Sequence, residues 1–405
     1  MRAHKRASFR AKDQAPGYRL TARGRAGALI LFYVQHLLGI GHLRRTAAIA
    51  QACLDQGLHA EVVSGGLPVD LDSDDALRIH QLEPLKSADL SFSQVVDRNG
   101  GPLNEKIQKV RADKLLEIFH EVRPQALVTE LFPFGRRRFR FELLPLLEAA
   151  GTARTPVICS VRDSVQRRSR EREAETIAWL RQYYEKVLIH GEERFIPFGD
   201  SFSQAGEIAD LLSYTGFVDS ATKTPGQAPL HSEPEVLVSA GGGSAGESLY
   251  LAAAEAGSLS RHQEVPWRIL AGARPEPAFV ARLRQIGGDQ LTVEANRPDF
   301  RGLLGNCRLS VSQAGYNSVV DLLASGAPAL LSPFTGEGGE TEQPVRAGRL
   351  SGIGRAQVMD ERDLDGGALA ARIDALLDSG PQRFASKRCD GAAQTAKALK
   401  EYLLV

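Results

Sequence analysis

Residues Ala28-Leu-Ile-Leu-Phe-Tyr-Val-Gln-His-Leu-Leu-Gly-Ile-Gly-His42-Leu-Arg-Arg45 decide the fold. The first seven form an unbroken apolar run, as expected of a parallel strand covered on both faces. A loop carrying Gly39 and Gly41 follows, and then Leu43, Ala47, Ala50 and Leu54 recur at helical spacing. Gly57 stands where a C-cap glycine belongs. Strand, glycine loop and helix together open a doubly wound sheet. Working outward, the spacing predicts strands at 60–64, 126–129, 156–161 and 187–190. It predicts helices over 103–122 and, long and charged, between the last two strands. The pattern restarts with a strand at 236–239, a loop Ala240-Gly-Gly-Gly-Ser244 and a helix over 245–256. Further strands fall at 268–270, 291–293, 309–312 and 329–331. The reading is α/β: two Rossmann-like doubly wound domains facing each other across a cleft.

The boundaries follow from composition. Residues 1–26 form a basic arm, 27–213 the first domain, 214–234 a connection rich in Pro, Gly and Ser/Thr, and 235–405 the second. The last helix is a candidate to pack back on the first domain. At 405 residues, 43% hydrophobic and 24% charged, the chain can bury a core in each domain. No apolar run approaches the ~20 residues of a membrane helix, and no signal-peptide apolar region opens the chain. Four scattered cysteines, Cys53, Cys159, Cys307 and Cys389, exclude a zinc ribbon or CxxC redox motif. A cytoplasmic, soluble chain is expected. The arm carries eight Lys/Arg against one acid, Asp13, leaving the remainder 42 basic and 48 acidic residues. Its functional reading is contact with an anionic membrane surface or nucleic acid; its bland one is a solvated extension. The acidic body argues against nucleic acid as a partner.

Four loops carry chemistry. In Gly39-Ile-Gly41-His42-Leu-Arg44 the glycines allow close backbone approach, and a helix N-terminus favours an anion. His42, in the first turn, would be kept neutral by burial and the helix end, and so could accept a proton; otherwise it is an idle helix-start residue. Gly242-Gly243-Ser244 fits neither a Walker loop nor a strict dinucleotide fingerprint. It can cradle a diphosphate or be only a tight turn. Around Gly315, residues Asn317 and Ser318 suit phosphate or N-capping, and Asp321, one turn on, suits ribose hydroxyls. After the strand at 329–331 comes a glycine- and acid-rich loop through Glu342, with Gln343 and Arg346 on the following helix to suit sugar hydroxyls and a phosphate; alone it could be a flexible surface loop. Glu130 and Asp163, near strand ends, are acceptor-side candidates with Gly39, Gly41 and Arg44. The basic clusters 136–140 and 167–172 could hold a phosphorylated acceptor, although the second is laced with glutamates and suits a solvated helix face. Asp72-Ser-Asp74 follows no strand, so no metal site is read there, and no cofactor is implied.

Together these loops resemble the GT-B glycosyltransferases, in particular the family 28 group that includes the transferase forming lipid II of peptidoglycan. The family's first glycine loop supplies a His to the acceptor side, matched here by His42. Its GGSxG loop, which handles donor phosphate, is similar to Gly242-Gly243-Ser244-Ala-Gly246. Its AGxxTxxE helix start is similar to Ala314-Gly315-Tyr-Asn-Ser318-Val-Val-Asp321, with Asp321 in place of the ribose-binding Glu. Its QQ helix start is similar to Glu342-Gln343. A branch of predicted glycosyltransferases shares runs resembling 33–45, 129–137 and 311–318. The resemblance spans about residues 28–380. It implies an inverting, metal-independent transferase moving a sugar from a nucleoside-diphosphate sugar, UDP-linked by family default, to an acceptor hydroxyl. The alternatives are a nucleotide-sugar hydrolase in which His42 activates water, or a non-catalytic nucleotide-sugar-binding protein.

Overall fold

The computed structural model describes residues 27–404 except 72–75, 89–93, 222–232, 241–245, 337–338 and 381. The basic arm, the Asp72-Ser-Asp74 stretch, most of the expected connection and the Gly242-Gly243-Ser244 loop lie outside the described residues.

The first half runs β1 (Leu29–Val34), α1 (Gly41–Asp55), β2 (His59–Ser64) and β3 (Arg78–Gln81). A hairpin of β4 (Leu85–Ser87) and β5 (Val95–Asp97) leads to α2 (Glu105–Val122). There follow β6 (Ala126–Glu130), α3 (Arg140–Ala153), β7 (Val157–Arg162), α4 (Arg170–Tyr183), β8 (Lys186–His190) and β9 (Leu212–Tyr214). Its seven-stranded parallel sheet has the order β3-β2-β1-β6-β7-β8-β9. The second half runs β10 (Val236–Ser239), α5 (Glu247–Leu259), β11 (Trp267–Leu270), α6 (Pro277–Gly287) and β12 (Leu291–Glu294). It continues with α7 (Phe300–Asn306), β13 (Leu309–Ser312), α8 (Tyr316–Ser325), β14 (Ala329–Leu331), α9 (Glu342–Gly352), β15 (Gln357–Val358), α10 (Gly366–Asp378) and α11 (Gly391–Leu404). Its parallel sheet has the order β12-β11-β10-β13-β14-β15.

All six residues of β1 and all four of β10 are buried, which is why neither shows a polar alternation. In both sheets the first strand is the point where the winding reverses. The chain moves outward to one side, then returns to the other side of β1 or β10. A crevice opens at the carboxyl end of such a strand, so the loop after β1 is placed to receive a ligand.

Two chain crossings join the halves. Tyr214, where the sequence reading begins the connection, is the last residue of edge strand β9. The outgoing crossing at Gly216–Val218 and the return at Asp390–Gly391 touch: Gly391 N–H donates to Phe217 O at 2.9 Å. A Cβ at Gly391 would stand 2.3 Å from Gly216 O, so only glycine permits the contact. Beyond it, α11 lies on α1. Ala396 and Leu399 join Ile30, Phe32, Ile158 and Leu188 in the first half's core, and Lys400 Nζ donates to Gln56 O at 2.7 Å. Among the described residues, no helix is long and apolar enough to cross a membrane.

Candidate active site

β1 and β6 are neighbours at the switch point, and this adjacency builds the site. The register pairs Tyr33 with Thr129, so Glu130, at the end of β6, stands beside the loop that leads into α1. His42 is the second residue of α1. Its Nδ1–H donates to Glu130 Oε1 at 2.8 Å, a bond that leaves Nε2 as the basic nitrogen. Arg45, one turn further along α1, donates to the same carboxylate oxygen. Glu130 is 1% exposed and Arg45 2%, whereas the His42 side chain keeps 15% of its surface. The carboxylate is therefore sealed and the imidazole is reachable.

The electrostatics match this arrangement. Burial lowers the His42 pKa to about 3, against the raising effect of Glu130. Burial would raise Glu130, but His42 and Arg45 outweigh it and hold the carboxyl below its usual range. At neutral pH the pair is a neutral imidazole oriented by a carboxylate. Two more cations flank it, Arg136 and Arg162, both of which also oppose protonation of His42. Arg136 is held by its Nε–H to Gln35 O at 2.7 Å and has a left-handed backbone (φ 58°), as does Leu131 (φ 65°) in the same loop. Non-glycine residues in that region store strain, which is more often found at functional loops than elsewhere.

Across the cleft the charged side chains are tied to one another. Arg346 sends Nε to Asp163 Oδ1 and Oδ2 at 2.9 and 3.0 Å, and Nη2 to Asp163 Oδ1 at 2.8 Å. Its Nη2 also reaches Glu342 Oε2 at 3.0 Å, and Arg162 Nη2 donates to Glu342 Oε1 at 3.2 Å. Asp163 and Arg346 are fully buried. Sequence reasoning gave Asp163 to the acceptor, Arg346 to a phosphate and Glu342 to the donor; in the structure the three form one buried interdomain network. Asp321, read as the ribose ligand, accepts from Arg301 Nε and Nη2 at 3.0 and 2.7 Å, and Arg301 also pairs with Asp219. Gln343, read as a sugar ligand, accepts through Oε1 from Ala314 N and Phe334 N at 3.0 and 3.1 Å, which joins the loops after β13 and β14. Glu130, read as an acceptor contact, stands behind His42.

Other placements agree with a cleft. A Cβ at Gly41 would lie 2.9 Å from Asn317 Nδ2, so the first glycine loop abuts the start of α8. Gly315 is the N-cap of α8 and, as glycine, brings no side chain to cap that end. Helix α1 likewise begins at Ile40 without a side-chain cap. Two helix starts thus point first-turn N–H groups toward the cleft, where they favour an anion. Arg44 and Gly39 lie on the same loop and first turn. Of the basic cluster 136–140, Arg136 joins the dyad while Arg137 pairs with Glu175 and stacks on Trp179. Sequence reasoning gave no role to Arg45, which closes the first glycine-loop motif, or to Arg162 and Tyr316. The first was legible as the next turn of the His42 helix; the others become neighbours only through the tertiary fold.

These two facing Rossmann-like domains make the protein a GT-B fold. The crystal structure of the glycotransferase of kitacinnamycin is similar at a TM-score of 0.60 and 16% identity, covering 94% of this chain and 100% of that one. The structure of LpCGTa in complex with UDP is similar at 0.54 and 16%, covering 94% and 95%. Residues 238–402 match the glycosyltransferase family 28 C-terminal domain, so the second half is similar to that domain. In sequence the chain is 31% identical over 103 residues to the UDP-N-acetylglucosamine–N-acetylmuramyl-(pentapeptide) pyrophosphoryl-undecaprenol N-acetylglucosamine transferase of Anaeromyxobacter sp. (strain K). That stretch is 25% of this chain and 27% of the relative, so the chain covers about a quarter of its length.

Proposed function

We propose that this protein is an inverting, metal-independent glycosyltransferase that moves a sugar from a nucleoside-diphosphate sugar, with UDP favoured, to an acceptor hydroxyl. The observation that carries the reading is the His42–Glu130 pair, an oriented, neutral imidazole reachable from a cleft whose other wall is similar to a family 28 domain. The bound UDP in LpCGTa, and the UDP-sugar in the name of the Anaeromyxobacter relative, support a uridine donor.

The proposed chemistry is a single displacement. His42 Nε2 takes the proton of the acceptor hydroxyl as its oxygen bonds to the anomeric carbon. The bond from that carbon to the diphosphate breaks on the opposite face, and its electron pair leaves with the diphosphate. One displacement inverts the centre. The imidazolium formed is stabilised by Glu130, whose carboxylate accepts the Nδ1–H throughout. The helix starts at α1 and α8 supply fixed N–H groups to the departing anion. The N-terminal half supplies base and acceptor, and the C-terminal half holds the donor through Gly315, Asn317, Ser318 and the loop 242–244. Asp321, Glu342 and Arg346 reach the donor only by exchanging partners.

A thermal-shift screen of nucleotide sugars and bare nucleotides tests the donor. A ligand at ~100 times its dissociation constant adds about 2.7 kcal/mol of stability. Uridine nucleotides are expected to stabilise the protein, and donor consumption with EDTA present is expected to need an acceptor and to persist. Consumption of donor alone, at a rate unchanged by acceptors, would identify a hydrolase.

A further inference from the structure

Tyr316 opens α8 in the C-terminal domain, yet its ring meets two arginines of the cleft. The Arg45 guanidinium is 5.1 Å from the ring centroid and that of Arg346 is 5.8 Å from it. The ring itself is pinned. Its hydroxyl accepts from Val218 N–H at 2.8 Å, in the crossing between the domains, and Arg346 is fixed in turn by Asp163. Arg45 is held far less completely. One end reaches Glu130, while its buried Nε has no hydrogen-bond partner among the described residues. The aromatic face is what remains to keep this guanidinium in place, by cation–π attraction in a dry setting.

We propose that Tyr316 is a positioning residue for the His42–Glu130 pair: the C-terminal domain supplies the ring that holds Arg45 against Glu130, so the base is set only when the two domains are docked. The inference rests on the reading of His42 as the base. Its physical content is a balance of charge. Several groups face His42: Arg45 on its own helix, Glu130 from β6, Arg136 beyond the loop after β6, Arg162 from β7 and Glu342 from α9. With Arg45 in place, the Glu130 charge is shared between a cation and the imidazole N–H. Release of Arg45 leaves that charge to the imidazole alone and admits water beside it. Both changes favour the imidazolium, so protonation would disable the base at a higher pH.

The test is an NMR titration of the His42 imidazole in the full chain, with the signal assigned by its loss in His42→Gln. In the wild type the signal stays neutral across the acid range in which the fold persists, in keeping with a pKa of about 3. In Tyr316→Leu the midpoint is expected to rise by about one unit or more. In Tyr316→Phe, which keeps the ring and loses only the Val218 contact, it is expected to stay put. Arg45→Gln is expected to reproduce the rise, and Tyr316→Leu added to it to do nothing further. Should Tyr316→Leu fail to fold, Arg45→Lys serves instead, because it keeps the charge but loses the planar stack; a rise is expected. A midpoint unmoved in the leucine variant (or, where that variant fails to fold, in Arg45→Lys), moved equally by phenylalanine, or shifted again in the Arg45→Gln background would overturn the proposal. The titration is read without turnover. A His42→Gln enzyme as fast as wild type would therefore defeat the base reading separately.

Discussion

The two walls of the cleft are built alike and charged differently. Each is a helix start at the carboxyl edge of a parallel sheet, reached by a glycine loop. On the N-terminal wall Glu130 and Arg45 are buried behind His42, whose side chain keeps 15% of its surface. On the C-terminal wall the charged groups Asp321, Glu342 and Arg346 already have protein partners. On the proposed reading, acceptor activation would use a pair already set by the fold, whereas donor binding would draw on backbone N–H groups and hydroxyls or trade an ion pair for a ligand contact, a costly trade where the pair is buried.

The largest effect should come from the buried pair that joins the walls. Asp163→Ala leaves the Arg346 guanidinium buried without its bidentate partner, which should cost about 3–5 kcal/mol of stability. Chemical denaturation measures it. A loss comparable to that of an exposed surface pair would mean that Arg346 is free to serve a donor phosphate after all. The orienting carboxylate should matter next. Glu130→Gln removes a charged hydrogen bond worth about 1.5–3 kcal/mol, so turnover should fall roughly 10–100-fold with donor affinity unchanged. A matching loss of donor affinity would place Glu130 on the donor instead. The smallest effect concerns Asp321. If it exchanges Arg301 for the ribose, Asp321→Ala should weaken a nucleoside diphosphate by about tenfold, since the Arg301 pair offsets part of the 1.5–3 kcal/mol at stake. Calorimetry reads it, and equal affinity would assign Asp321 to Arg301 alone.

How much of this the sequence discloses depends on whether an interaction is local. Strands β1, β10 and β13 were legible because each is a continuous buried run. Edge strands β3, β9 and β15 were not. Arg78–Gln81 carries exposed and half-buried polar residues, and the other two span only two or three residues, as edges commonly do. The placement of His42 in the first turn of α1 was legible from two glycines before a helix. The role of Glu130 was not, because it sits 88 residues away in the chain and reaches His42 only through the β1–β6 pairing. The Arg346–Asp163 pair was hidden for a related reason. An arginine at a glycine-rich loop reads as a phosphate ligand until the fold brings a buried aspartate from the other domain to it.

The central claim is that His42 is a general base held neutral by its surroundings. Turnover and melting temperature of His42→Gln, measured on one preparation across acid and neutral pH, test it most directly. A positioned base contributes roughly 10²–10⁴-fold, so the variant should lose that much of its rate and keep its fold. The wild-type rate should fall only at low pH, because a neutral imidazole is the active form and burial has brought its pKa to about 3. Near-wild-type turnover in a folded His42→Gln protein would contradict the account.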